Sequence, residues 1–152
     1  MIRLIRPVTW SAPLFAPMLA EVEANGEGTF VFRLRDEWLS GALRFERDGE
    51  VLLGFFEGDD LIGVGGLSHD PLEPKPDLAR LRHLYVMQVY RGQGIGRALV
   101  GRLLELARPR FGTVRLRTRS AGPFYESFGF IPSAREGETH RLVFQTVSAS
   151  RS

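Results

Sequence analysis

A chain of 152 residues, 43% of them hydrophobic, is long enough to bury one core and too short for two comfortable ones. Its 20 basic and 18 acidic residues leave a net charge of +2, without the concentrated basic surface of a nucleic-acid binder. Cysteine is absent, which excludes disulfides, thiolate metal sites and a cysteine nucleophile; the short apolar runs point to a soluble cytoplasmic protein with neither a membrane span nor a signal peptide.

Residues 1–6 alternate apolar and basic side chains, as a strand does. Across residues 9–23, Leu14, Phe15, Met18, Leu19 and Val22 recur at helical spacing with Ser11 as a cap. Pro13 and Pro17 place the start of that helix near Pro17, after a turn, because proline belongs in a first turn; residues 25–28 end it. Residues 36–47, carrying Trp38, Leu39, Ala42, Leu43 and Phe45, predict a second helix closed by Asp48 and Gly49. Apolar runs at 51–56 and 61–67, joined by Glu57, Gly58, Asp59 and Asp60, read as a hairpin. The proline-rich stretch 70–77 reads as an exposed loop.

A fourth strand is expected at 80–87, then a glycine-rich turn, then a helix over 93–107 presenting Ile95, Leu99, Leu103, Leu104 and Leu106 and stopped by Pro109 and Gly112. Residues 113–119 form a fifth strand whose Arg115, Arg117 and Arg119 share one face, read first as solvated or ion-paired surface and second as a site for an acidic group. A short helix at 122–128, a last strand at 139–147 and a frayed tail at 148–152 complete the chain.

The turn between the fourth strand and its helix carries the chemistry. Arg91, Gly92, Gln93, Gly94, Ile95 and Gly96 let successive amides point inward at a helix start, where the dipole favours an anion. It is neither of the two better-known phosphate loops. A dinucleotide fingerprint needs glycine where Arg97 or Leu99 stands, and a P-loop needs Lys then Ser or Thr where Arg97 and Ala98 stand. This chemistry suits a pyrophosphate without any metal.

Arg91, Gly94 and Gly96 occupy the positions of the signature loop of the GNAT superfamily of N-acetyltransferases, which the sequence resembles. The later run from Ala121 through Phe124, Tyr125, Gly129 and Phe130 resembles that family's second motif. The resemblance implies an α/β (α+β) single domain over residues 1–147, with a mixed central sheet of about six to seven strands flanked by about four helices, in the order β-α-α-β-β-β-α-β-α-β. It also implies that the loop from Arg91 to Arg97 (Gly92, Gln93, Gly94, Ile95 and Gly96 included) binds the pyrophosphate of acetyl-CoA, through backbone amides more than through the guanidinium of Arg91. Leu84, Tyr85 and Val86 would pair by main chain with the pantetheine arm, Thr118 stands where relatives carry a cofactor-contacting asparagine, and Tyr125 would lie beside the thioester sulfur as the acid for the departing thiolate.

The chain also departs from the family pattern. Arg80 and Thr113 stand in neighbourhoods where relatives carry a carboxylate base, and Gln88 and Val89 replace a usual proline and a frequent acid. His83, an imidazole on the fourth strand, is the first candidate for the base, His69 the second, and His140 reads as surface. The expected function is transfer of acetyl from acetyl-CoA to a primary amine of a small molecule or peptide by a monomer or homodimer with no metal. A non-catalytic CoA-binding sensor and a transferase of another acyl group are the alternatives.

Overall fold

The computed structural model describes residues 2–145; the predicted tail and the ends of the first and last predicted strands lie outside them. The first strand, β1, spans Arg3–Pro7. The first helix, α1, covers Ala12–Asn25 and begins a full turn before the predicted start, with Pro13 in its opening turn and Pro17 inside. Proline's fixed φ suits the opening position, and Phe15, Met18 and Val22 bury one face, which holds the helix together despite the N–H lost at Pro17. Gly26, at φ 73°, closes it by donating to Val22 O at 2.9 Å.

The second helix, α2, covers Phe30–Ser40, about six residues upstream of the expected span. Gly41 in the left-handed conformation ends it, so Ala42, Leu43 and Phe45 are not helical. Phe45 reaches the core from a left-handed backbone of its own, at φ 55°, and stacks on Trp38. The hairpin forms as read, with β2 at Val51–Glu57 and β3 at Asp60–His69. Then follow β4 (Leu78–Val86), a single 3-10 turn at Gln88–Tyr90, α3 (Ile95–Ala107), β5 (Thr113–Leu116), α4 (Gly122–Glu126), and two short strands, β6 (Ile131–Pro132) and β7 (His140–Val143). The two-residue β6 has no periodicity of its own and is defined only by pairing with β7.

These strands make one seven-stranded sheet in the order β1-β2-β3-β4-β5-β7-β6. Every neighbouring pair is antiparallel except β4 with β5. One apolar cluster, including Leu53, Ile62, Leu99, Leu103 and Val114, lies between the sheet and α3. The other, including Phe15, Met18, Leu34, Phe56 and Val64, lies under α1 and α2. Gly63 and Gly65 of β3 let α3 come close: a Cβ at Gly63 would stand 3.1 Å from Ile95 and one at Gly65 3.2 Å from Leu103.

Parallel pairing of β4 and β5 is brief. It joins Leu78 to Thr113, Ala79 to Val114 and Arg80 to Arg115, after which β4 continues to Val86 while β5 stops at Leu116. Arg117 and Arg119 therefore lie beyond the strand, exposed, while Arg115 is only 3% exposed. The single arginine face expected from the sequence does not form.

Candidate active site

The opening between the diverging strands is a groove of about 1430 Å³. It is larger than a pocket for one drug-sized ligand, roughly 300–1,000 Å³. Along residues 81–86, β4 has no strand partner on the β5 side among the described residues, so that backbone edge is open to the groove, with Val86 O accepting from Arg91. A bulge interrupts β4 within this stretch. Val64 pairs with Tyr85 and Gly66 with Arg82, so His83 and Leu84 together oppose Gly65. His83 takes φ 60°, a left-handed backbone that costs a non-glycine residue about 1–2 kcal/mol. The bulge turns His83 toward Phe30 and Phe45 on the α2 side, while Leu84 packs on the α3 side.

One end of the groove is the glycine loop. Gly92 and Gly94 have φ 79° and 82°, and Gly94 caps α3. The first bond into that helix runs from Ala98 N to Gly94 O at 3.0 Å, so the amides of Ile95, Gly96 and Arg97 have no carbonyl in their own helix. The nearby guanidinium groups are turned aside. Arg91 Nε donates to Val86 O at 2.8 Å and its Nη1 to Glu27 at 2.7 Å, while Arg97 donates to Ser127 Oγ at 2.8 Å and lies over the Phe128 ring. The Tyr85 hydroxyl donates to Glu21, whose same oxygen accepts from Gln88 N at 3.0 Å. Burial, with Glu21 beside it, raises the Tyr85 phenol above its ordinary range. Thr118 Oγ1 accepts from Ala121 N at 3.1 Å and so holds the turn into α4.

Tyr125 and His83 also line the groove, Tyr125 from the α3 side and His83 from the α2 side. Tyr125 is 7% exposed, packed edge-on against Phe124 and Phe130, and burial pushes its phenol up to about 12. It therefore keeps its proton at neutral pH. His83 Nε2 lies 3.3 Å from Glu37 Oε1, and Arg82 Nη2 donates to Glu37 Oε2 at 3.1 Å. Burial raises the Glu37 carboxyl, but the hydrogen bond from His83 and the Arg82 charge outweigh it and hold the group below its usual value. Because Glu37 is ionised, Nε2 carries the hydrogen, and burial together with Arg82 keeps the ring neutral. Nδ1 is left as a buried lone pair, the one buried side-chain atom without a hydrogen-bond partner among the described residues.

Of the residues singled out from the sequence, Tyr125, His83, Leu84, Tyr85, Val86, Arg91, Gly92, Gly94, Ile95, Gly96, Arg97 and Thr118 all line this groove, and Gln93 does not. His69 and His140 are elsewhere: His69 Nε2 donates to Asp48 O at 2.9 Å against the Phe111 ring, and His140 is buried with Nε2 2.8 Å from Glu126 Oε2. The surface position expected for His140 is thus wrong, because its β7 register turns it in beneath α4. Among the described residues no group of three His, Asp or Glu side chains is placed to hold a metal ion.

A family model for the acetyltransferase (GNAT) domain matches residues 18–149. The chain belongs to that family. Its fold is similar to that of an Exiguobacterium sp. 255-15 protein provisionally described as an acetyltransferase, at 26% identity over 94% of both chains with a TM-score of 0.83. The fold also matches an N-acetyltransferase from Staphylococcus aureus Mu50, at 16% identity over 95% of this chain and 100% of the other with a TM-score of 0.69. Glucosamine-6-phosphate N-acetyltransferase from Arabidopsis thaliana shares the fold at 17% identity, over 90% and 96% of the two chains, with a TM-score of 0.60. No curated protein matches the chain.

In this GNAT domain the closed end of the groove is held by buried charge. Asp70, its side chain fully covered, accepts from Arg80 Nε at 2.9 Å and from Arg115 Nε and Nη2 at 2.6 and 3.0 Å. Glu138 takes the other side of Arg115 and both donors of Arg141. Burial raises the Asp70 carboxyl, and the bonds and charges of Arg115 and Arg80 reverse that and hold it at about 2. Arg80, which stands where a carboxylate base was sought, thus anchors the sheet instead. Glu37 went unremarked in the sequence because its contact with His83 spans 46 positions and rests on α2 crossing β4.

Proposed function

We propose that this domain transfers an acetyl group from acetyl-CoA to the primary amine of a small molecule or peptide by direct attack. The observation that carries the reading is the groove itself, which joins a helix start with three uncommitted amides, an unpaired strand edge and a protonated tyrosine. The amides of Ile95, Gly96 and Arg97 would hold the pyrophosphate, and the free edge of β4 around Leu84 and Val86 would pair with the pantetheine arm. Acetyl-CoA supplies an acyl group activated as a thioester.

The protein then has two proton tasks. The attacking amine must lose a proton, since an alkyl ammonium has a pKa near roughly 10.4, and the departing thiolate gains from a donor. Tyr125, kept protonated by burial, is the proposed donor. His83, kept neutral and oriented by Glu37, is the proposed acceptor; Nδ1 is covered in the free protein, so this role requires the ring to be uncovered when the amine binds. Calorimetry with acetyl-CoA, followed by CoA release over a panel of amines, tests the reading. Micromolar binding and turnover are expected, and absence of binding would overturn it.

A further inference from the structure

Charge around the groove is not distributed as it is over the chain. Among 20 basic and 18 acidic residues overall, the groove takes seven arginines and one acid, Glu27. Glu27 is already engaged with Arg91 at 2.7 Å. Three more carboxylates lie behind the wall: Glu37 held by Arg82 and His83, Asp70 closed between Arg80 and Arg115, and Glu21, which accepts from the Tyr85 hydroxyl and Gln88 N and whose charge acts on Arg91. Among the described residues that line the groove, no carboxylate is left to pair with an ammonium group. Among the described residues, Arg33, Arg117 and Arg119, which also line the groove, form no ion pair.

These cations divide by position. Arg91 and Arg97 flank the glycine loop at the donor end. Arg33 on α2 stands on the opposite side of the sheet from α3, with His83 and the Arg82–Glu37 pair, and its charge reaches His83. In the same wall, Nδ1 of His83 is a lone pair without a donor, on a side chain only 2% exposed. A simple alkylamine entering here as ammonium meets cations, which repel it and lower its pKa. That lowering favours the neutral nucleophile and weakens binding, unless the same molecule carries an anion.

We propose that the acceptor is an amine bearing a carboxylate or a phosphate, whose anion is held by Arg33 while its amine faces His83. The inference rests on the acetyltransferase reading above. It accounts for the missing carboxylate base: the surrounding guanidinium groups favour the neutral amine, and the tethered anion restores the affinity that repulsion removes.

Matched pairs test it in the full chain at saturating acetyl-CoA: an α-amino acid against its carboxamide, and an aminoalkyl phosphate against the corresponding amino alcohol. The anionic member of one pair is expected to show kcat/KM higher by roughly tenfold or more, the worth of one charge-assisted hydrogen bond, and the pair that shows it identifies the anion. In Arg33→Glu, a change at an exposed position, the anion-to-neutral ratio is expected to fall toward one. Equal rates within both pairs, preference for the uncharged or polycationic amine, or an unchanged ratio in the variant would overturn the proposal. If acetyl-CoA binds and no amine is acetylated, the acetyltransferase reading fails by itself. The same pairs titrated into the CoA-loaded protein then decide this proposal, with equal affinities refuting it and tighter binding of the anionic member supporting it.

Discussion

Replacing Gly94 by valine separates the loop's backbone from everything around it. Gly94 has φ 82° and ψ 10°, and a Cβ built there meets nothing within 4 Å. The cost therefore has no part from clash with neighbours and lies wholly in the left-handed backbone, about 1–2 kcal/mol for an L-residue and more for a β-branched one. At this chain length each kcal/mol lowers Tm by roughly 2–4 °C. Relief comes by rotating the peptide, which re-aims the amides at the start of α3. Loss of even one charge-assisted bond to phosphate, about 1.5–3 kcal/mol, weakens acetyl-CoA by roughly tenfold to 150-fold.

Two controls bracket that result. At Gly96 the φ is ordinary and a Cβ would stand 3.7 Å from Phe124 Cζ, so Gly96→Ala should leave affinity nearly intact. Gly101 lies inside α3 with nothing within 4 Å, so Gly101→Ala should stabilise the fold by about 0.5–1 kcal/mol and leave affinity unchanged. Calorimetry with acetyl-CoA and thermal melts read all three. If Gly94→Val melts earlier yet binds acetyl-CoA as the wild type does, the loop is not the anion site and the reasoning fails.

Tyr125→Phe should lower turnover by roughly 100-fold while acetyl-CoA affinity holds, and unchanged turnover removes the tyrosine's role as acid. If His83 takes the amine proton, kcat/KM should show an acid limb with a midpoint below 6.5, because burial and Arg82 favour the neutral ring; that limb should vanish in His83→Gln, and its persistence would count against the assignment. Asp70→Asn leaves Arg80 and Arg115 buried with only a neutral amide between them, which should cost roughly 3–5 kcal/mol and lower Tm by roughly 6–20 °C. The same carboxyl governs acid stability. Its folded pKa, about 2, lies below its ordinary 3.8, so its stabilisation is complete above about pH 4 and fades as pH falls toward 2. Wild-type stability should drop more steeply through that window than that of Asp70→Asn, which keeps the fall due to Glu138, also held at about 2, and parallel curves would refute the linkage.

Local chemistry made much of this protein legible from its residues alone. The Gly58–Asp59 turn between two apolar runs specifies the β2–β3 hairpin, and the apolar repeat from Ile95 to Leu103 specifies α3 through to Ala107. Gly92 and Gly94 specify a loop that only a left-handed backbone can close, and with the Phe124 and Tyr125 run they mark one side of the groove. Each of these signals sits within a few residues of the structure it produces.

What the residues could not show depends on elements that meet from far apart in the chain. The limits of α2 were missed because the Val31 and Leu34 face is chosen by β4 beneath it, and Phe45 looks helical by spacing while entering the core from a left-handed backbone. Arg115 reads as surface until β4 and β5 pair and close Asp70 and Glu138 around it. The bulge at His83, its partner Glu37 and the gathering of arginines on one groove likewise exist only once the sheet is assembled. The glycine loop is local in the chain, so the sequence by itself determined it; the wall beyond it is built from α2, β4 and the end of β5, and only the packing of those elements decided which charges line the groove.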